Sequence, residues 1–132
     1  MSQANVETAE RIYSARLRGD VDAMLAELHP EVEWHPHLAA LGGRAVEGHE
    51  GVREYLASLG EEWDDFRQEP EQVLDAGDEV VVLLNTYGRG RASGVELELQ
   101  VAHVLGFKDG QCIKNVTYLD REEALSVAGL RP

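Results

Sequence analysis

His103 interrupts the apolar face of a segment that alternates between apolar and polar residues. That face consists of Val95, Leu97, Leu99, Val101, His103, Leu105 and Phe107. The opposite face carries Glu96, Glu98 and Gln100. A period of two is typical of a strand with one buried face, so we expect His103 to point inward. Because an imidazole exchanges protons near neutral pH, one hypothesis makes His103 a general acid or base.

Four further residues could contact a ligand beside His103. Asn115 and Thr117 share one face of the next predicted strand, where antiparallel pairing could bring them near His103. In this hypothesis Asn115 donates a hydrogen bond to a carbonyl-like substrate, Tyr13 adds a hydroxyl and Trp34 forms a wall. The alternative is structural: His103 is a core histidine with its own hydrogen-bond partner, and the two aromatic residues serve packing.

The histidines near the first strand do not predict a metal site. His35 and His37 share one face of that strand, but Val32 and Trp34 take the buried face. We therefore expect both histidines to face outward, without a third carboxylate ligand. The sequence predicts neither a metal nor an organic cofactor.

The first half of the chain predicts helices and a short strand. Apolar residues recur at helical spacing over residues 6–17, 21–28 and 52–63. Pro30 requires the second helix to end near Leu28, so that a strand over residues 31–35 can follow. The acidic run at residues 61–65 fits a solvated helix face around Trp63.

The second half of the chain predicts antiparallel strands. Valine- and leucine-rich runs flank a loop at residues 88–94, and a turn at residues 108–111 leads into a further strand. Asp120 fits the N-cap of a short C-terminal helix, which Gly129 can end. Helices followed by antiparallel strands predict an α+β fold with helices on one face of a curved sheet.

Length and charge limit the possible functions. The 132 residues fit one domain, 1–132, and a net charge of -13 makes a nucleic-acid partner unfavourable. Cys112 is the single cysteine and cannot form an intrachain disulfide. No export signal or membrane-spanning run is recognisable, so we expect a cytoplasmic protein that does not enter a membrane.

Several short sequence segments resemble sequences of the nuclear-transport-factor-2-like superfamily, specifically of its SnoaL-like, ketosteroid-isomerase-like branch. The resemblance spans almost the whole chain. The matching segments are residues 18–20, 29–34, 47–53, 75–78, 102–104, 108–111 and 118–125. It implies a cone-shaped domain in which a strongly curved, mostly antiparallel sheet wraps around the N-terminal helices and leaves a cavity, commonly in a homodimer.

The resemblance leaves the activity open, because this fold carries isomerases, cyclases, dehydratases, epoxide hydrolases and binding proteins. Ketosteroid isomerases use two aspartates, but the corresponding segments here are residues 34–37 and 102–103, without a carboxylate. Thr117 stands where the epoxide hydrolases of the superfamily have an acidic residue. The acid/base aspartate of the polyketide cyclases has no secure counterpart.

Two function classes follow from these observations. The first is a domain that binds a small hydrophobic, carbonyl-bearing molecule and can act as a cofactor-independent acid/base enzyme for isomerisation, dehydration or cyclisation. The second is a non-catalytic ligand carrier or structural homodimer. A catalytic His103 would be connected to solvent and titrate near neutral pH, whereas a core histidine would be sealed and paired.

A homodimer is expected from the outer face of the sheet. The residues predicted to lie there are mostly apolar: Ala102, Val104, Cys112, Val116 and Tyr118. Such a face fits a two-fold partner surface better than contact with water.

Overall fold

A computed structural model describes residues 3–36 and 45–130, with four helices and six strands. The elements are, in chain order, α1 (Gln3–Leu17), α2 (Val21–Ala26), β1 (Leu28–His35), β2 (Val46–Glu47), α3 (Gly48–Glu62), β3 (Trp63–Asp75), β4 (Glu79–Gly90), β5 (Glu96–Lys108), β6 (Gln111–Tyr118) and α4 (Arg121–Val127). His37 lies outside the described residues.

The six strands form one sheet in the order β2-β1-β6-β5-β4-β3. All neighbouring pairs are antiparallel except β1 and β6, which are parallel. The sheet is not closed, and α1 and α3 pack against it. The predicted α+β class and the cone-shaped arrangement are therefore confirmed.

Apolar side chains bury both faces of the sheet. The inner face, which we define as the face toward α1 and α3, contributes Val32, Val82 and Leu105 to the main core. On the outer face, α4 packs Ala124 and Leu125 into a second cluster. That cluster also contains Val81, Leu83, Ala102 and Val104. Helix α4 therefore covers part of the apolar surface that predicted a homodimer.

Cys112 lies on the inner face, so its predicted outer position is wrong. The β5–β6 register shifts between Gly106 and Phe107, and Phe107 then pairs with Cys112. A bulge of this kind inserts one residue and reverses the side-chain alternation beyond it. Cys112 accordingly belongs to the main core and is 1% exposed.

Element boundaries in the first half of the chain differ from the sequence prediction. Helix α3 ends at Glu62, and Trp63 begins β3, so the acidic run spans a helix–strand junction instead of lying on a helix face. Strand β1 begins at Leu28, although Pro30 cannot donate a backbone hydrogen bond. Pro30 lies where the β1–β6 register is irregular, so the missing donor interrupts no regular ladder.

The predicted hairpins and the C-terminal cap are present, although β4 extends to Gly90 and moves the β4–β5 connection from residues 88–94 to residues 91–95. Residues 91–95 connect β4 with β5, and residues 109–110 connect β5 with β6. Asp120 caps α4 by accepting hydrogen bonds from the backbone N–H groups of Glu122 and Glu123. Within residues 3–36 and 45–130, no helix has both the length and the apolarity needed to cross a bilayer.

Candidate functional site

A mostly apolar cavity lies between the inner face of the sheet and the helices. Its lining residues are Arg16, Trp34, Pro36, Tyr55, Phe66, Gln68, Thr86, Leu99, Val101, His103, Asn115, Thr117 and Leu119. The empty space of the cavity is about 540 Å³ when its solvent-open mouth is included. The centre of a water-sized sphere can move through only about 40 Å³ of that space. The cavity is therefore narrow, and small ligands suit it best.

Strand pairing brings the polar residues of the cavity together. Trp34 pairs with Asn115 across the parallel β1–β6 ladder, and His103 pairs with Thr117 across the antiparallel β5–β6 ladder. Asn115 and Thr117 are two positions apart and share the inner face of β6. Register therefore places these four side chains next to one another.

Tyr13 contacts His103 from the helix side. Its hydroxyl lies 2.6 Å from Nδ1 of the imidazole, and both side chains are buried. Tyr13 is absent from the lining residues, so it lies behind His103 and can affect a ligand through that ring. The structure thus places four of the five predicted site residues at the cavity, with Tyr13 one contact further away.

The hydrogen-bond partners assign the imidazole tautomer. Burial raises the pKa of the Tyr13 phenol, so its hydroxyl keeps its proton at neutral pH, and a phenolic O–H can donate to an imidazole nitrogen. The hydroxyl proton is then free to go to Nδ1 of His103. We therefore assign the imidazole proton to Nε2, which has no hydrogen-bond partner among the described residues.

Burial keeps both members of this pair neutral. It lowers the pKa of His103 to about 3, and the positive charge of Arg16 acts in the same direction. Burial also raises the pKa of Tyr13 well above its ordinary value, although Arg16 and Asn115 oppose the shift. At neutral pH, His103 is thus a hydrogen-bond donor and a weak base.

Among the described residues, two buried polar atoms at the cavity have no hydrogen-bond partner. They are Nε1 of Trp34 and Oδ1 of Asn115, on side chains that are 4% and 6% exposed. Buried polar groups in native proteins are nearly always paired, so each exception calls for an explanation. A ligand with both an acceptor and a donor could satisfy the two atoms.

Arg16 is a cavity residue that the sequence did not reveal. Its guanidinium donates to Oε1 of Gln68 at 2.9 Å and lies over the Trp34 ring, 5.8 Å from the ring centroid. Gln68 is held in turn by its own hydrogen bond to Thr86. The available signal was the spacing of Arg16 three residues after Tyr13, which places both on one face of α1.

The remaining histidine prediction concerns His35. Its side chain bonds to Glu33, while Val32 and Trp34 are buried, as expected for this strand. Across the described parts of the chain, no group of three or more metal-ligating side chains comes together. The described residues that line the cavity include no aspartate, glutamate, lysine or cysteine.

A curved, open sheet packed over N-terminal helices, with a narrow cavity between them, defines the nuclear-transport-factor-2-like fold. The family model described as SnoaL-like domain matches residues 9–115. The chain therefore belongs to the SnoaL-like family.

Solved structures agree with this assignment. An NTF2-like protein from Burkholderia thailandensis E264 is 27% identical with a TM-score of 0.82, and the similarity covers 99% of each chain. TerC, co-crystallised with polyporic acid, is 25% identical with a TM-score of 0.78, covering 96% of this chain and 99% of TerC. A protein assigned as a SnoaL-like polyketide cyclase from Jannaschia sp. CCS1 is 24% identical with a TM-score of 0.76, covering 100% of this chain and 97% of that one. No curated protein matches the chain significantly.

Proposed function

We propose that this protein binds a small, mainly apolar molecule that carries a carbonyl-type oxygen. The observation that supports this most directly is the buried Nε1 donor of Trp34, which has no hydrogen-bond partner among the described residues and lies at the same mostly apolar cavity as His103. Apolar walls with a few convergent polar groups are typical of small-molecule sites. TerC, which shares this fold, was crystallised with the small molecule polyporic acid.

In the proposed complex His103 acts as a neutral donor. Tyr13 occupies Nδ1 and so directs the Nε2 proton toward the cavity, where it can bond to a carbonyl oxygen. A neutral imidazole can polarise a carbonyl in this way and thereby favour enolisation. Thr117, opposite His103 in the register, offers a hydroxyl beside the same position. None of these hydrogen bonds requires a metal or an organic cofactor.

The low basicity of His103 favours binding over catalysis by proton abstraction. A general base works best when its pKa lies near the operating pH, and the pKa of His103 is about 3. His103 is also 3% exposed and paired with Tyr13, as expected of a core histidine. A non-catalytic carrier is therefore the simplest form of the proposal. Isomerisation, dehydration or cyclisation would use His103 as the donor that stabilises a developing oxyanion.

Acetophenone is a suitable test ligand because it is small and flat and joins an apolar ring to one carbonyl. Its titration can be followed by ¹H–¹⁵N correlation spectra, in which the two tryptophans give separate indole signals. We expect a saturable shift of the Trp34 signal that is larger than any shift of the Trp63 signal, because Trp63 lines a neighbouring cleft that shares only Arg16 and Phe66 with the cavity. His103→Gln should weaken binding by about 2- to 10-fold, the value of one neutral hydrogen bond.

His35→Gln is the matched control, because it makes the same exchange on the half-exposed side chain that bonds to Glu33. It should bind acetophenone like the wild type. The proposal fails if neither acetophenone nor benzoate, which carries a carboxylate in place of the ketone, shifts the Trp34 signal, or if acetophenone moves the Trp63 signal and not the Trp34 signal.

We also retain the homodimer as a proposal, with a smaller interface than the sequence indicated. Helix α4 covers Ala102 and Val104, which leaves half-buried Val116 and Tyr118 and exposed Val127 for a partner. A second copy placed on the outer face would cover these side chains.

A further inference from the structure

The Arg16 guanidinium has fewer partners than a charged group at a cavity usually has. Its contacts are one hydrogen bond to Gln68 and the face of the Trp34 ring. A guanidinium carries five N–H donors, and the described residues accept only one of these hydrogen bonds, at Oε1 of Gln68. The Arg16 side chain is half-buried, and burial lowers the pKa of its guanidinium below the ordinary value.

Arg16 differs in this respect from every other arginine in the described ranges. Arg11, Arg18, Arg53, Arg67, Arg89, Arg91 and Arg121 each lie within ion-pair distance of a carboxylate. No carboxylate of the described residues reaches Arg16, although the chain contains 25 acidic residues. The cavity thus holds an uncompensated positive charge in a strongly acidic protein.

The unpaired Trp34 donor lies on the side chain that Arg16 covers. Trp34 is 4% exposed, and its Nε1 has no hydrogen-bond partner in the described part of the chain. Gln68 and the indole ring do not neutralise the guanidinium charge, since an amide is neutral and a cation–π contact is weak beside an ion pair. An anion with two acceptor oxygens would satisfy both the charge and the donors at this end of the cavity.

We infer that the ligand of this cavity is a small carboxylic acid whose carboxylate pairs with Arg16. The apolar body of the ligand then lies along Leu99 and Val101, and its other polar group faces His103 and Asn115. This inference rests on the proposed ligand-binding function and narrows its substrate class from neutral carbonyl compounds to carboxylates.

Benzoate and benzamide test the inference as a matched pair. They are nearly equal in size, and only benzoate is charged at pH 7. Both can be titrated into the protein while the indole signals of Trp34 and Trp63 are followed. We expect benzoate to bind the wild type about tenfold more tightly than benzamide, as a charge-assisted hydrogen bond predicts. We also expect a downfield shift of the Trp34 signal.

Arg16→Gln should remove this preference. It should weaken benzoate binding about tenfold or more and change benzamide binding by less than about threefold. Arg18→Gln is the control, because it removes the same charge from an exposed side chain that pairs loosely with Asp20 at 3.9 Å. This control should bind benzoate like the wild type.

The outcomes separate this inference from the proposed function. If acetophenone and benzamide bind at Trp34 and benzoate binds no better, the carboxylate inference is overturned and the binding function stands. If acetophenone, benzamide and benzoate all fail to bind, both are overturned. Equal loss of benzoate affinity in Arg16→Gln and Arg18→Gln would trace the effect to net charge and would also overturn the inference.

Thermal unfolding without ligand distinguishes a binding role from a structural one. Arg16→Met keeps a long apolar stem and removes the unpaired charge, so its melting temperature should equal or exceed that of the wild type. A clear decrease in melting temperature together with unchanged benzoate binding would mean that Arg16 serves packing, and would refute the inference.

Discussion

The stability of the protein should depend on pH through His103. Its pKa is lowered from 6.5 to about 3 in the folded state, mainly because the ring is buried and secondarily because Arg16 is near. Between these two values the unfolded chain takes up a proton that the folded chain excludes. The contribution of neutral, buried His103 to the free energy of unfolding is therefore fully present above about pH 6.5 and is lost as the pH falls toward 3.

The magnitude follows from the difference between the two pKa values. At pH 5, protonation of this histidine in the unfolded chain lowers the free energy of unfolding by about 2 kcal/mol relative to its value above pH 6.5. Each pH unit below 6.5 contributes about 1.4 kcal/mol. Solvent screens this effect of His103 on the free energy of unfolding only weakly, because His103 is 3% exposed.

The assay compares urea unfolding of the wild type with that of His103→Gln at about pH 7.5 and about pH 5. The variant loses the Tyr13 contact and should be less stable at the higher pH. The gap between the two proteins should narrow by about 2 kcal/mol at the lower pH. A constant gap, or an imidazole that titrates near neutrality by NMR, would refute the reasoning and would restore His103 as a candidate base.

Two further predictions concern Cys112 and the oligomeric state. Burial raises the pKa of the Cys112 thiol to about 12, so the thiol of the native protein is protonated and inaccessible to a thiol reagent. Labelling should therefore proceed only as fast as the native protein opens around Cys112. Rapid labelling of the native protein would contradict this prediction. Light scattering after size exclusion should give twice the monomer mass at micromolar concentration, and Val127→Glu should shift that mass toward the monomer. A monomeric wild type would refute the dimer.

Strand alternation carried most of the information about the site. The pattern around His103 predicted its inward direction, and the pairing of β5 with β6 predicted that Asn115 and Thr117 lie nearby. These predictions succeeded because a buried face fixes strand register, since a slip by one residue would bury Glu96 and Glu98. The Asp120 cap was also predictable, because its signal is local.

The unpredicted features lack such a pattern. Strand β3 combines Arg67, Gln68, Glu69 and Glu71 with half-buried positions, so its composition does not show a clear apolar face. Arg16 looks like a surface residue in sequence, and only the tertiary structure shows that no carboxylate of residues 3–36 and 45–130 reaches it. The position of Cys112 depends on a bulge whose location the local sequence does not specify.

The parallel β1–β6 pair affects how the protein is made. Trp34 and Asn115, which adjoin at the cavity, are separated by about eighty positions along the chain. A ribosome-bound nascent chain therefore carries Arg16 and Trp34 long before the strand that completes the cavity is synthesised. A ligand cannot assist the early stages of folding, so its stabilising effect should begin only after nearly all of the chain has emerged.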